Sequence, residues 1–337
     1  MGVFKKNGSQ TVWFENPPVI ISTASVVGPQ EGEGPLGKTF DKVFYDTYCD
    51  EETWEKAEQR LMLEAMKKAL QKANLQEKDI DFMLAGDLLN QIVSANFTAS
   101  ALSIPFLGLY GACSTMYEGM ALGAMLIDGG FAARVLVGAS SHYSTAERQF
   151  RFPTELGVQR PMTAQWTVTG AGAVVLAEKG SGPVITHATI GRVIDMGQAD
   201  PQDMGAVMAP AAADTIVRHL QDTGRAYDYY DLIYTGDLGT YGKKLADHLL
   251  RQQGYDISDR FTDCGILIYS GAQDVHAGGS GCGCSAVVTC GYLIEKLKDG
   301  SYKRLLGIGT GSLHSPCSVQ QGSTIPGIGH ALVIEAR

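Results

Sequence analysis

The chain repeats itself, and the repeat limits what it can fold into. Ala69–Asn90, "ALQKANLQEKDIDFMLAGDLLN", and His219–Thr240, "HLQDTGRAYDYYDLIYTGDLGT", align with an offset of 150. Leu70 meets Leu220, Asp81 meets Asp231, and Gly86, Asp87 and Leu88 meet Gly236, Asp237 and Leu238. Further on, Ala112–Gly129, "ACSTMYEGMALGAMLIDG", and Gly283–Gly300, "GCSAVVTCGYLIEKLKDG", align with an offset of 171, pairing Cys113 and Ser114 with Cys284 and Ser285. Two matches in the same order argue for an internal duplication of about 160 residues. The expected organisation is two similar halves, residues 1–180 and 181–337, packed as one body.

Short apolar or β-branched runs bounded by glycine predict buried strands at Val19–Ser22, Asp81–Ala85, Arg134–Gly138 and Ala171–Leu176. The second half offers Val184–Ile190, Asp231–Thr235, Gly265–Tyr269, Arg304–Ile308 and Ala331–Ile334. Helical patterns lie between them. The clearest is Thr53–Ala73, and others fall near Ala211–Leu220, Lys244–Gln252 and Ser285–Leu297. Strands alternating with helices predict an α/β fold with parallel sheet. An apolar share of 45% with 19% charged residues suits a folded globular chain. A net charge of −9 gives no long-range attraction to nucleic acid. No run of about 18 apolar residues is present to span a membrane, and the N-terminal stretch lacks a secretory core. Seven cysteines without framework spacing predict free thiols in a cytosolic setting.

One thiol stands out. In "FLGLYGACSTMYEGM" an apolar run is followed by Cys113 at the point where a helical pattern begins. A helix N-terminus lowers a thiol pKa and is a common seat for a nucleophile. Two βα halves, a cysteine at a helix start after "YGA", and "TGAGAVVLAE" closing the first half resemble the thiolase superfamily, which includes the ketoacyl synthases. Several longer stretches are similar to one branch of it, the stage V sporulation protein AD family of endospore-forming bacteria. They are "GPLGKTFDKVFYD", "MLAGDLLNQ", "ASSHYSTAERQFRFPTE", "DMGAVMAPAAADTI" and "AGGSGCGCSAVVT". The resemblance implies a thiolase-like α-β-α-β-α five-layered fold with the cysteine-bearing helix start near its centre. It also implies binding of dipicolinic acid, the pyridine dicarboxylate of the spore core. The protein would support uptake of that acid into the developing spore with membrane proteins of the same operon. It would sit in the cytoplasm or forespore, peripheral to the inner spore membrane, and a homodimer is implied too.

Condensing chemistry needs a thiolate, a base or electrophilic partner, and an oxyanion hole. In the superfamily a His or Asn–His combination follows the strand that here reads "DLIYTGDLGT", and this chain has Gly236 and Asp237 there. A carboxylate facing a thiol disfavours the thiolate. The second partner normally lies in the turn "AGGSGCGCS", where Gly279, Ser280 and Gly281 stand. The late thiolase cysteine falls in "LLGIGTGS", which has none. The expectation is therefore a catalytically degenerate site with Cys113 as a vestigial nucleophile position. The rival is an active acyl-thioester condensing enzyme whose base has moved to His142, His276 or His314. A third reading is a docking scaffold with an unused pocket.

For binding a flat dianion, the expected donors are backbone N–H groups at the helix start by Cys113 and at Gly281–Ser285. Arg148, Arg151 and Arg160 are candidates for a bidentate clamp, or else pair with Glu147 or Glu155. Asp87 and Asp237 either cap the following helices or reach the pocket, with Ca²⁺ carried by the ligand as one option. His276, Cys282, Cys284 and Cys290 lack zinc-site spacing, so glycine packing with incidental thiols is the expectation and no cofactor or metal is assigned. "GIGTGS" follows a strand without opening a convincing helix, so it does not read as a nucleotide loop.

Overall fold

Alternation along two strands sets the architecture. In "GAGAVVLA", Ala171, Ala173 and Val175 enter one hydrophobic cluster while Val174 and Leu176 enter another. In "GIGHALVIE", Ala331 and Val333 face a third cluster while Leu332 and Ile334 face the same cluster as Val174. Because side chains alternate across a strand, each strand belongs to a sheet buried on both faces. Three apolar clusters separated by two sheets make five layers. The computed structural model, which describes residues 4–150 and 160–337, shows this α-β-α-β-α arrangement.

The first sheet is ordered β1-β5-β4-β2-β3, from β1 (Val19–Val27), β2 (Phe82–Gly86), β3 (Phe106–Gly108), β4 (Arg134–Ser141) and β5 (Gly170–Ala177). The second is ordered β6-β10-β9-β7-β8, from β6 (Val184–Thr189), β7 (Leu232–Thr235), β8 (Phe261–Asp263), β9 (Arg304–Ser312) and β10 (Gly327–Glu335). The same order runs through both. Only β5 and β10 lie antiparallel to their neighbours, so each sheet is mixed, where strand–helix alternation alone predicted a parallel one. The sheets join edge to edge at Val19 and Val184. At the foot of β2, Asp81 accepts hydrogen bonds from the N–H groups of Ala133 and Arg134, and Asp231 does the same for Lys303 and Arg304. The repeat therefore carries its own strand-pairing brace.

Outside the first sheet pack α1 (Trp54–Lys72), capped by the Thr53 hydroxyl, and α2 (Val93–Leu102). Outside the second pack α5 (Met204–Thr223) and α6 (Gly239–Gln252). Between the sheets lie α3 (Thr115–Asp128) and α7 (Cys282–Val288), the latter running on through a π turn at Thr289–Leu293 into Ile294–Lys298. A Cβ on Gly172 would come within 2.6 Å of the Ala286 backbone, so β5 needs glycine there to admit α7. In the same middle layer Tyr117 donates to Tyr234 at 2.7 Å, joining the halves.

The strand expected at Gly265–Tyr269 is displaced. The strand is Phe261–Asp263, paired in parallel with Ile233–Thr235, and Cys264–Leu267 is a helical turn. A short apolar run fits either state. Here a Cβ on Gly265 would meet the Gly279 carbonyl at 2.1 Å, so the turn packs directly beneath the glycine-rich loop. Helix α5 also starts before its expected point, capped by Asp203 on Ala206 N, and carries Pro210 inside it.

Candidate functional site

From β3 the chain turns through Ala112, whose φ of 51° is left-handed, into a tight turn Ala112–Ser114 that opens α3. The Ser114 hydroxyl donates to Gly111 O at 2.7 Å and the Thr115 hydroxyl to Ala112 O at 2.7 Å. These bonds hold Cys113 at the helix start, 5% exposed, in the middle layer between the two sheets. Facing it is the turn before α7, where Gly279 and Ser280 pair with Trp166 and Thr167. Gly281 has φ 99°, and a Cβ there would strike the Ser141 hydroxyl at 2.7 Å. The Cys282 thiol donates to Ala112 O at 2.9 Å, tying the two helix starts together.

Asp237 stands behind Cys113. Its carboxylate accepts from Thr310 Oγ1 at 2.6 Å and Gly281 N at 3.1 Å, and its charge acts on the Cys113 thiol. Burial raises the Asp237 carboxyl to about 7. Burial, and after it the Asp237 charge, push the Cys113 thiol well above its ordinary value. The lowering expected from the helix end is overridden, because the loss of water and the facing carboxylate outweigh a partial dipole charge.

A cavity of about 750 Å³ opens beside the thiol. Cys113, Ser280 and Gly281 line it, as do Leu88 and Asn90 after β2, and Ala146, Gln149 and Phe150 from α4 (Tyr143–Phe150). Tyr110, Ala112, Thr167 and Met204 add to the lining, and the rest of the wall is Ser312–Cys317, the last residue of β9 and the segment that follows it. Among the described residues, no Lys or Arg lines it. The backbone donors expected to serve an anion at Gly281–Ser285 are partly engaged. Gly281 N meets Asp237, Gly283 N meets Ser141 Oγ at 2.9 Å, and Cys284 N meets Gly281 O.

The other predicted residues sit elsewhere. Asp87 accepts from Leu89 N and Ala95 N, both at 2.8 Å, so it braces the loop and the start of α2 instead of facing the cavity. Beneath it lies the buried Glu58, bonded by Ser140 and Thr145, and its carboxyl is pushed up by burial and by the Asp87 charge. His142 is buried against Thr47 O at 2.6 Å and shifted down by desolvation. Arg148 pairs with Glu55 of α1, not with Glu147, and lies over Trp54. Arg160 stacks on Trp166 at 5.1 Å. Gly279 lies outside the lining, and His276 meets Pro161 O at 2.8 Å. Arg151 and Glu155 fall outside the described residues. Cys282 and Cys290 direct their thiols at different carbonyls, Ala112 and Ala173. Among the described residues no three His, Cys, Asp or Glu side chains are grouped to hold a metal.

Sequence reasoning missed Asn90, Gln149 and Phe150, and it singled out only His314 in the wall "SLHSPC". The available signal was position alone. These stretches follow β2, β4 and β9, the parallel strands whose C-terminal ends form a crevice in α/β sheets.

The class set by this layering is the thiolase-like condensing-enzyme fold. The 3-oxoacyl-[acyl-carrier-protein] synthase III of Aquifex aeolicus VF5 superposes with a TM-score of 0.60 at 16% identity, covering 94% of this chain and 99% of that one. Acetamide-bound OleA of Xanthomonas campestris gives 0.61 at 14% identity, covering 96% and 100%. Within that class the chain belongs to the stage V sporulation protein AD family, whose pattern matches residues 8–335. Stage V sporulation protein AD of Bacillus subtilis (strain 168) is 51% identical over 331 residues, 98% of each chain. No helix among the described residues is long and apolar enough to cross a membrane.

Proposed function

We propose that this sporulation protein binds dipicolinic acid in the cavity beside Cys113 and supports its uptake into the developing spore without acyl-transfer chemistry. The observation that carries the non-catalytic part is the buried Asp237 carboxylate, held by Thr310 and Gly281 beside the Cys113 thiol, where a condensing enzyme needs a base or electrophile. A thiolate formed there would face a like charge in a dry site. What is left is a chamber with neutral polar groups at Ser280, Ser312, Asn90 and Gln149 and with aromatic rings at Tyr110, Phe150 and His314. Such a lining suits a small, flat, polar ring. Arg151 follows directly on the cavity residue Phe150 and is the proposed source of positive charge, with Ca²⁺ entering on the ligand as the other. Location at the inner spore membrane, docking to membrane proteins of the same operon and self-association as a homodimer belong to the same proposal.

Calorimetric titration with pyridine-2,6-dicarboxylate tests it. Saturable binding that survives Cys113→Ala but is lost on Cys113→Trp or Ser280→Trp is the expected result. No binding by the folded wild type overturns it. The second reading, an active condensing enzyme, rests on His314 lining the same cavity as Cys113. Cys113-dependent turnover of acyl-thioesters would establish that reading in its place.

A further inference from the structure

We propose that Ser312 is a ligand-binding residue of the cavity, one whose hydroxyl donates to a ligand carboxylate. This rests on the reading of the cavity as a binding chamber for an aromatic dicarboxylate and assigns one end of that ligand. Ser312 closes β9, is 5% exposed and lines the cavity. Its Oγ is buried and has no hydrogen-bond partner among the described residues. Thr310, two residues earlier and so on the same face of the strand, donates to Asp237 at 2.6 Å. The strand therefore aims two hydroxyls at the site, one satisfied and one waiting.

The neighbouring backbone fixes where the second one lies. A Cβ on Gly311 would come within 2.8 Å of Gly111 O and 3.2 Å of Ser114 N, so this end of β9 runs against the turn that carries Cys113. Just beyond Ser312, the His314 ring meets the Phe150 ring at 5.4 Å with a 45° tilt, and both line the cavity. Ser312 is thus the hydroxyl end of a wall whose next members are rings. A buried hydroxyl left unpaired is unfavourable, and a site built around one discriminates strongly for the ligand that pairs it. A planar aromatic acid meets both parts of the wall. Its ring lies along Phe150 and His314, and a carboxylate oxygen accepts from Ser312 Oγ.

The test compares two probes on two proteins. Pyridine-2,6-dicarboxylate and pyridine-2-carboxylate are titrated calorimetrically into wild type and Ser312→Ala, with Ser312→Thr as the variant that keeps a hydroxyl. Ser312→Ala is expected to weaken the dicarboxylate about tenfold or more while changing the monocarboxylate much less, with substantial recovery in Ser312→Thr. Without ligand, Ser312→Ala should melt no lower than wild type, since it removes an unpaired buried group. An unchanged ratio of the two affinities, or equal weakening together with a lowered melting temperature, overturns the assignment and leaves the chamber reading standing. Failure of the wild type to bind either acid overturns both.

Discussion

Asp87 and Asp237 hold the same register of the repeat, each one residue beyond the matched glycines Gly86 and Gly236, and they do different work. Asp87 spends its carboxylate on its own segment, at Leu89 N and Ala95 N. Asp237 makes none of those local bonds. It reaches Thr310, Gly281 and Cys113 instead. The bracing role in the second half has passed to Asp263 at the end of β8, which accepts from Leu238 N and Gly239 N at 2.8 and 3.0 Å. Once another carboxylate steadies the loop, the repeated aspartate is released to face the cleft. Two copies of one motif thus divide support and site between them.

The largest expected effect comes from breaking the supporting copy. Asp87→Ala strips a charged acceptor from two backbone donors in a buried loop, and urea unfolding should show a loss of roughly 3 kcal/mol. Labelling of Cys113 in the folded protein should stay as slow as in wild type. If Asp237→Ala costs as much as Asp87→Ala, the division of roles is wrong.

The next effect is on pH. Burial raises both Asp237 and Glu31 to about 7, whereas an unfolded chain releases those protons near pH 4. At these two carboxyls the folded state holds more protons across that window, so their contribution to stability falls as pH rises from about 4 to about 7. The buried His142, His187, His219 and His330, shifted down by burial, contribute with the opposite sign. Compared with wild type across the window, Asp237→Asn should remove a falling contribution and shift the slope of stability against pH upward by about one proton. A slope unchanged by that variant would show that Asp237 does not titrate there.

A smaller effect concerns the thiol. Replacing Asp237 with Asn removes the like charge beside Cys113, and alkylation of Cys113 by iodoacetamide near pH 8 should accelerate several-fold. The exposed Cys317 serves as an internal reference in the same digest. Smallest of all, Cys113→Ala should change unfolding free energy by about 1 kcal/mol or less, because the thiol fills little volume and its partner Asp237 keeps Thr310 and Gly281.

The repeat made much of the fold legible. Glycine-bounded apolar runs located eight of the ten sheet strands, missing Phe106–Gly108 and misplacing Phe261–Asp263, and the aligned Asp81 and Asp231 brace matched strands. Cys113 and Gly281 were legible from their helix starts, and Ser280 from the turn in which the resemblance places a catalytic partner; all three line the cavity. Local patterns could not show which distant loops meet. Nothing in "TGDLGT" signals that Asp263 will take over the loop, and nothing in "AERQF" signals that Arg148 will meet Glu55 on α1. The wall at Ser312–Cys317 was hidden for the same reason, since it is loop sequence whose role comes from the end of the strand that delivers it.

The shared middle layer also orders events in time. Helix α7, from the end of the chain, packs on the first sheet, and Thr23 of β1 donates to Cys290 O at 2.8 Å across 267 residues. During synthesis α3 covers part of the inner face of the first sheet early, where Gly119 and Gly123 pack on Val137 and Leu176, but the part beneath α7 is complete long before its cover exists. That part must wait, apolar and uncovered, until the last third of the chain leaves the ribosome. Such distant closure makes for slow folding and exposes the nascent chain to aggregation. The final assembly is then a single act, in which the late helix seals the early sheet and completes the cleft at the same moment.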